Sequence, residues 1–450
     1  MNIKRIVGWF CLLVLVAFGI LCYVRWEVWF GNVPEPPYTT SDSPQRILLT
    51  FGDSDATSRN VSWSCGETVQ TSFLELADET DTLHVEADGE VFESRSGKAA
   101  YYVARLRNLQ AGCHYSYRVC TNGHYSSWHH FNLSDHRNTS FIYVGDVQDT
   151  IAGIANQLLR GAFQHHPDAQ FLVCGGDLTE RPVDAYWQET FEGLDSIGQS
   201  VPVLTATGNH DYLKGLVYSL ERRFSLIHSY YLDSMEGVNQ VFTLRYKDVQ
   251  FFVLDSNREF FYLFTQRSWL KKQLEESKAR WKVVVLHHPL YSIRGKNNNL
   301  IQRWMFDDLI RDYGVDLVLQ GHEHAYARMT NHDDKLIIPS TPVYTVSHMS
   351  PKNYRIEFDE KFDKFGSGSR YYQKVVADDK RLTLTAYDAM THALYDSLVI
   401  SKQEGILDYG KQIPEVIEFT PVPANKKDAK FAERIEKYKN KRKYYERIDY

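Results

Sequence analysis

Five times between residues 141 and 328, a short run of β-forming residues ends in a carboxylate, an amide or an imidazole. In order these are Gly145-Asp146-Val147-Gln148, Gly176-Asp177, Gly208-Asn209-His210-Asp211, Val284-Val285-Leu286-His287-His288-Pro289 and Gly321-His322-Glu323-His324-Ala325-Tyr326-Ala327-Arg328. A polar side chain at the point where a strand gives way to a loop sits at the open end of a sheet, where α/β proteins gather their chemistry. Each motif alone has a bland reading. Asp after Gly favours turns, Asn caps helices, and a buried histidine can be a satisfied part of a core. Five in succession require an architecture that brings strand ends together.

The segments between the motifs supply that architecture. Phe141-Ile142-Tyr143-Val144 reads as a strand, and Ile151, Ile154, Leu158 and Ala162 then recur at helical spacing. Further strands are expected at 171–174, 201–204, 281–286 and 315–319, with a hairpin-like pair at 240–246 and 249–254. Runs at 343–346, 381–387 and 393–400 would complete a second sheet. Upstream, residues 45–133 carry short alternating runs split by Gly, Asp and Asn, which predict an all-β sandwich. Trp63 and the alternation Tyr115/Tyr117/Val119 supply its inward faces.

The N-terminus follows other rules. Lys4 and Arg5 precede an uncharged apolar run of 19 residues, Ile6 to Val24, followed by Arg25. At 1.5 Å per residue this run reaches about 28 Å, close to the thickness of a hydrocarbon core. A cleaved secretory signal is the alternative, but its apolar core is shorter and no Ala-x-Ala-like site follows Val24. Trp26, Trp29 and Phe30 suit a membrane interface. Residues 1–30 therefore read as an uncleaved signal anchor, with Lys4 and Arg5 on the cytoplasmic side and the remainder exported. If the segment is cleaved, the protein is secreted or periplasmic instead.

With 450 residues, 43% hydrophobic and 24% charged, the chain is an ordinary globular protein long enough for two domains. The expected division is an anchor at 1–30, a linker at 31–44, a sandwich at 45–135, an α/β domain at 136–402 and a charged tail at 403–450. The tail reads as a solvated helix with Phe431, Ile435 and Tyr438 on one side. A net charge of −6 argues against a general nucleic-acid partner. Cys65, Cys113, Cys120 and Cys174 lie outside the anchor. Export permits disulfides among them, with three full pairings open, although Cys174 reads as a buried free thiol. Asn60, Asn132 and Asn138 head glycosylation sequons.

Asp146, Asp177, Asn209, His287, His322 and His324 offer carboxylate, amide and imidazole donors without a thiolate. That mixture suits Fe, Mn or Zn. Asp177, on a strand expected to be central, is the natural bridge between two ions. His322 and His324 would point to the same side if the backbone there is extended.

On these residues the chain resembles the calcineurin-like metallophosphoesterases. Within them it is most similar to the purple acid phosphatases, whose closing motif is Gly-His-x-His-Ala-Tyr-Glu-Arg; here Ala327 replaces the Glu. The resemblance implies a four-layer α/β/β/α metallophosphoesterase sandwich preceded by an all-β fibronectin III-like domain. It implies two metal ions: Asp146 and His324 on the first, Asp177 bridging, and Asn209, His287 and His322 on the second. His210 would face the substrate phosphate, stabilising charge or protonating the leaving oxygen; His288 has a supporting role. The reaction implied is hydrolysis of phosphomonoesters by in-line attack of a metal-bound hydroxide. Alternatives are a phosphodiesterase or nucleotide pyrophosphatase on the same site, or a non-catalytic binding protein with a structural metal site.

Two departures from the family pattern matter. The purple enzymes carry Gly-Asp-x-x-Tyr in the second motif, whereas Asp177 is followed by Leu178, Thr179 and Glu180. The metal-binding tyrosine is missing from that position, so an enzyme that is not purple is expected. Where other members carry a His two residues after the first Asp, this chain has Gln148, whose amide oxygen remains a ligand. Glu180 reads as a surface charge. After His-x-Pro, Arg294 and Lys296 replace the family's histidines and are candidates for binding phosphate oxygens.

Overall fold

Strands buried on both faces must be apolar throughout, and the runs flanking the five motifs meet that condition. In the computed structural model, Thr139–Val144, Phe171–Cys174, Trp281–Leu286 and Leu317–Gln320 are buried along almost their whole length. The structure describes residues 3–416, apart from 54–55, 79–80, 231–232, 236–237, 295–298, 331–340, 355 and 357–360, together with 433, 436–438 and 440.

The larger domain is built on two sheets. In the first, Thr139–Val144, Phe171–Cys174 and Val203–Thr205 run parallel, extended on one side by the antiparallel strands Tyr371–Ala377, Arg381–Asp388, Leu394–Ser401 and Gly405–Asp408. The second has the order Asp233–Met235, Val238–Tyr246, Val249–Val253, Trp281–Leu286, Leu317–Gln320, Val343–Val346, Tyr326–Met329 and Lys364–Gly366. Phe141, Phe171, Phe251, Val283 and Leu319 pack between the sheets. Helices Ala155–His165 and Asp184–Ser200 cover the outer face of the first, burying Leu159 and Trp187. Helices Phe260–Glu276 and Leu300–Asp312 cover the second, burying Leu270 and Phe306. The layers are helix, sheet, sheet, helix, as expected.

The N-terminal sandwich holds Trp63 stacked on Tyr102 at 5.6 Å, with the indole N–H donating to Thr121 Oγ1 at 2.9 Å. It is not a separate bead. Its strand Gln45–Phe51 pairs in parallel with Val203–Thr205 of the larger domain's first sheet, through Thr50 and Val203. Around this seam, Ser62 Oγ donates to Ile227 O at 2.6 Å and Tyr117 OH to Gln199 O at 2.7 Å. Asn60, a sequon asparagine, is 1% exposed and donates to Ser229 O, so the folded chain offers no room for a glycan there.

Several details differ from expectation. The third strand of the larger domain starts at Val203 rather than 201, because Pro202 has no N–H to contribute to a ladder. The first outer helix begins at Ala155, after a turn in which Asp149 Oδ2 accepts from Ala155 N. All six cysteines are free thiols. Phe431 and Ile435 of the tail lie outside the described residues; Tyr438 is buried 5.2 Å from Phe365.

The N-terminal helix Ile3–Phe30 is 28 residues long with a mean hydropathy of 2.6 in its most apolar window, and none of it is buried. By length and composition it is able to cross a membrane. Residues after it do not hang free. Glu35 is buried, its carboxylate 2.6 Å from the Arg223 guanidinium and accepting from Asp184 N at 2.9 Å.

Candidate metal centre

The strand ends of both sheets open on one side, and the motif residues meet there. Four of them occupy left-handed backbone: Asp146 (φ 45°), Asp177 (φ 53°), His322 (φ 72°) and His324 (φ 36°). Non-glycine residues are held in this region only where the surroundings over-determine it, a pattern that concentrates at functional sites. The neighbouring glycines make it feasible. A Cβ on Gly321 would lie 2.5 Å from Asp146 Oδ2, and one on Gly208 would lie 1.9 Å from Asp177 Oδ1. The backbone at 322–324 is therefore a tight bend rather than the extended segment required for the alternation argument, and the two histidines reach different donors.

One half of the cleft centres on His287. Its Nδ1 bonds Gly175 O at 2.9 Å, which leaves Nε2 as the inward nitrogen. That Nε2 lies 3.0 Å from Asn209 Oδ1, 3.3 Å from Asp177 Oδ2 and 3.2 Å from His322 Nδ1. His322 Nδ1 is in turn 2.8 Å from Asn209 Oδ1. The other half centres on His324, whose Nδ1 faces Lys352 O at 3.1 Å. Its Nε2 lies 2.9 Å from Gln148 Nε2 and 3.3 Å from Asp146 Oδ1. Asp146 Oδ1 and Gln148 Oε1 are buried with no hydrogen bond. Donor atoms of Asp146, Asp177 and His287 all lie within 4.8 Å of one another. Buried oxygens without a hydrogen bond, facing converging imidazoles, fit metal cations.

The electrostatics follow from this crowding. Burial would raise the carboxyl pKa of Asp177, but His287 and His210 outweigh it and hold the group well below the usual range. Burial would equally lower His287; Asp177 reverses that and lifts the imidazole to about 9. Burial and the neighbouring His287 push His322 down to about 4. The cluster thus holds its acids as anions, with Asp177 favouring His287 as a cation while His322 stays neutral.

His210 bonds Glu180 O through Nδ1 and sits with Nε2 4.0 Å from Asp177 Oδ2. It lines a cavity of about 310 Å³ with Asn209, His288, Asn257, Arg95, Arg181 and Lys214. His288 is held by Ser256 Oγ at 3.0 Å and its ring lies 4.3 Å from that of His322. Arg294 lies with its guanidinium 4.5 Å from the Tyr354 ring, whose other neighbour is His324 at 4.3 Å. Lys296 lies outside the described residues. Glu180 departs from its surface expectation: its side chain is 11% exposed and both carboxylate oxygens bond Lys352 Nζ at 2.8 Å.

Three residues of the site escaped the sequence reading. Tyr354 and Lys352 sit on a loop with no local signature. His348 is fully buried, with neither ring nitrogen bonded and its ring 5.8 Å from that of His324. It follows the strand Val343–Val346 by two residues, so the strand-end rule that found the others applied to it too. Glu323, the middle residue of the His-x-His motif, accepts from Ser292 Oγ and Ile293 N at 2.6 Å each and ties the loop bearing Arg294 to the site.

Known proteins share the two-part architecture of this chain. The calcineurin-like phosphoesterase family matches residues 139–326, and the purple acid phosphatase N-terminal domain matches residues 44–133. The phosphoenolpyruvate phosphatase of Allium cepa is 23% identical over 318 residues, covering 64% of this chain and 63% of that protein. Purple acid phosphatase 5 of Arabidopsis thaliana is 23% identical over 318 residues, covering 65% and 72%. The chain therefore spans somewhat less than two thirds of the onion protein. Among solved structures, purple acid phosphatase PPD1 from yellow lupin seeds superposes with a TM-score of 0.67 at 17% identity, covering 85% of this chain and 78% of that one.

Proposed function

We propose that this chain, which joins a calcineurin-like phosphoesterase domain to a purple acid phosphatase N-terminal domain, is a phosphoric ester hydrolase that cleaves phosphomonoesters at a centre for two metal ions. The observation that carries the reading is the pairing of the converged donors Asn209, His287, His322 and Asp177 with the orphaned oxygens of Asp146 and Gln148. Asp146, Gln148 and His324 would hold one ion and Asn209, His287 and His322 the other, with the carboxylate of Asp177 available to both. The donor set suits Fe, Mn or Zn. When bound, such ions acidify a water and offset charge that builds on the phosphoryl oxygens.

The chain's own residues do the rest. The hydrogen bond from Nδ1 to Glu180 O fixes the His210 ring, so Nε2 faces the cavity and can carry a proton to the leaving alcohol. Asn209, besides its metal, reaches a phosphoryl oxygen through its amide. Arg294, next to Ile293 whose N–H donates to Glu323, stands against the Tyr354 ring and supplies positive charge to the same phosphate. The catalytic half faces the non-cytoplasmic side, tethered by the N-terminal helix.

The test uses the full chain in detergent, because Glu35 binds Arg223 and a truncation near residue 40 would strip a buried ion pair. Metal content and hydrolysis of a monoester and a diester of p-nitrophenol are measured together. Two metals per chain with monoester preference, no purple colour, and loss of both metal and activity in His322→Ala are expected. Faster diester cleavage would move the assignment to a phosphodiesterase. Bound metal without hydrolysis of either ester would make the protein a binding module.

A further inference from the structure

The cavity beside the metal centre has an unusual wall. Gly31, Asn32 and Val33, the residues directly after the membrane-type helix, line it together with Arg95, Lys214 and His210. They are tied in place. Asn32 exchanges two hydrogen bonds with the Lys214 backbone, at 2.8 and 2.9 Å, and Arg95 Nη1 donates to Val33 O at 2.7 Å. Lys214 Nζ also reaches Val28 O in the last turn of the helix at 3.4 Å. The end of the helix and the rim of the cavity are one rigid piece.

That fixes the height of the cavity above a bilayer. The uncharged run ends at Val24 and the helix at Phe30, so about six residues, roughly 9 Å, separate the hydrocarbon boundary from the cavity wall. The headgroup layer on each side is of the order of 5–8 Å deep. The wall of the cavity therefore stands at the outer edge of the headgroup layer, within a few ångströms of the lipid phosphates.

The surface beside the cavity is apolar where a soluble enzyme would be polar. Within the loop 214–218, which touches the helix end, Leu216 is 81% exposed, Val217 65% and Tyr218 50%. A second apolar group begins three residues after Asn257, another lining residue: Phe260 stacks on Trp304 at 5.8 Å, with Phe261 81% and Trp304 65% exposed. Exposed apolar groups clustered around a functional site mark a contact surface. Against them stand the cavity's cations Arg95, Arg181 and Lys214, a combination that complements the boundary between acyl chains and anionic headgroups.

Resting on the phosphomonoesterase reading, we propose that the substrate is the phosphomonoester headgroup of a lipid in the same membrane, taken from the headgroup layer without leaving it. Water supplies the oxygen of the new P–O bond, the ester P–O bond to the lipid breaks, and a proton passes to the lipid oxygen. The products are inorganic phosphate and a lipid alcohol. Leu216, Val217 and Tyr218 insert beside the helix, and the cations draw the headgroup inward.

The experiment places the full chain in phosphatidylcholine vesicles containing a minor fraction of long-chain phosphatidate and compares its hydrolysis with that of soluble glycerol 3-phosphate. Phosphatidate in the protein's own vesicles should be cleaved with at least about tenfold higher kcat/KM than the soluble ester, and phosphatidate confined to separate, protein-free vesicles should be spared. The double substitution Leu216→Asp, Val217→Asp should cut lipid turnover roughly tenfold, since it removes the insertion of two aliphatic side chains. It should leave glycerol 3-phosphate turnover unchanged, which also reports that the variant is folded. Equal or better cleavage of the soluble ester, or full lipid activity in the double variant, would overturn the proposal while leaving the phosphatase reading intact. Hydrolysis of neither ester would remove both.

Discussion

The cleft and the junction between the two domains bury polar groups to the same degree and treat them in opposite ways. At the junction, the Arg223 side chain has no exposed surface, and opposite charges surround it: Glu35 at 2.6 Å, Glu221 at 2.7 Å and Asp184 at 3.8 Å. In the cleft, carboxylates and imidazoles converge on one another, with Asp146 Oδ1 and Gln148 Oε1 lacking a hydrogen bond and four residues at positive φ. A buried charge with a matched partner is a structural solution, and removing one partner strands the other. Donors held without partners at a strained backbone oppose folding, and they persist where something else must bind.

This contrast can be broken by substitution. The largest expected effect is in the cleft: Asn209→Ala should lower kcat/KM by roughly 10³-fold, the order expected when a group that stabilises developing charge is lost. The same variant should lower the metal-free melting temperature only slightly, because the contacts it gives up, to His287 Nε2 and His322 Nδ1, lie within the crowded cleft. A large fall in the metal-free melting temperature would erase the distinction between the regions. At the junction, Glu35→Ala should behave inversely, costing about 3 kcal/mol of unfolding free energy because Arg223 loses a partner. Denaturant titration measures this, and bound metal in the folded fraction should be unchanged.

The junction also holds buried atoms without a hydrogen bond, among them Glu35 Oε2 and Arg223 Nη1, and one of its residues makes the smallest prediction. His228 is fully buried with both ring nitrogens unpaired, and burial alone lowers its pKa to about 3. The unfolded chain, with an imidazole pKa near ~6.5, binds the proton between those two values while the folded chain does not. Stability is therefore lost as pH falls below about 6.5, by about 2 kcal/mol at pH 5 from this residue alone. His228→Phe should flatten that part of the pH dependence measured by unfolding. An unchanged slope would mean the ring finds a proton acceptor on folding.

How legible this was in the sequence depended on the kind of interaction. Strands buried on both faces write long apolar runs, so most strands could be read from patterns such as Val283-Val284-Val285-Leu286. The runs 381–387 and 393–400, expected in a second sheet, instead extend the first beyond Tyr371–Ala377, because a strand's partner is set by tertiary pairing. The ligand candidates stood at the ends of those runs and were found by position. Glu180 was misjudged because its partner, Lys352, lies 172 residues away, and charge alone defaults to solvent. Residues 31–44 looked like a linker because Pro, Ser and Thr dominate it, yet Asn32, Val33 and Glu35 tie it to residues far along the chain, Glu35 to a partner 188 residues away. The bend at His322 and His324 was hidden as well. Only the approach of Gly321 to Asp146 forces it, and that contact is tertiary.

The parallel pairing of Thr50 with Val203 makes the strands of the sandwich and of the first catalytic sheet one hydrogen-bonded lattice. A hinge between the domains would have to shear that lattice, so the molecule does not open and close like jaws. Admission and release at the cleft must rely on loop and side-chain movement over a fixed floor. A load transmitted along the N-terminal helix would also be carried sideways across many strands rather than concentrated on one.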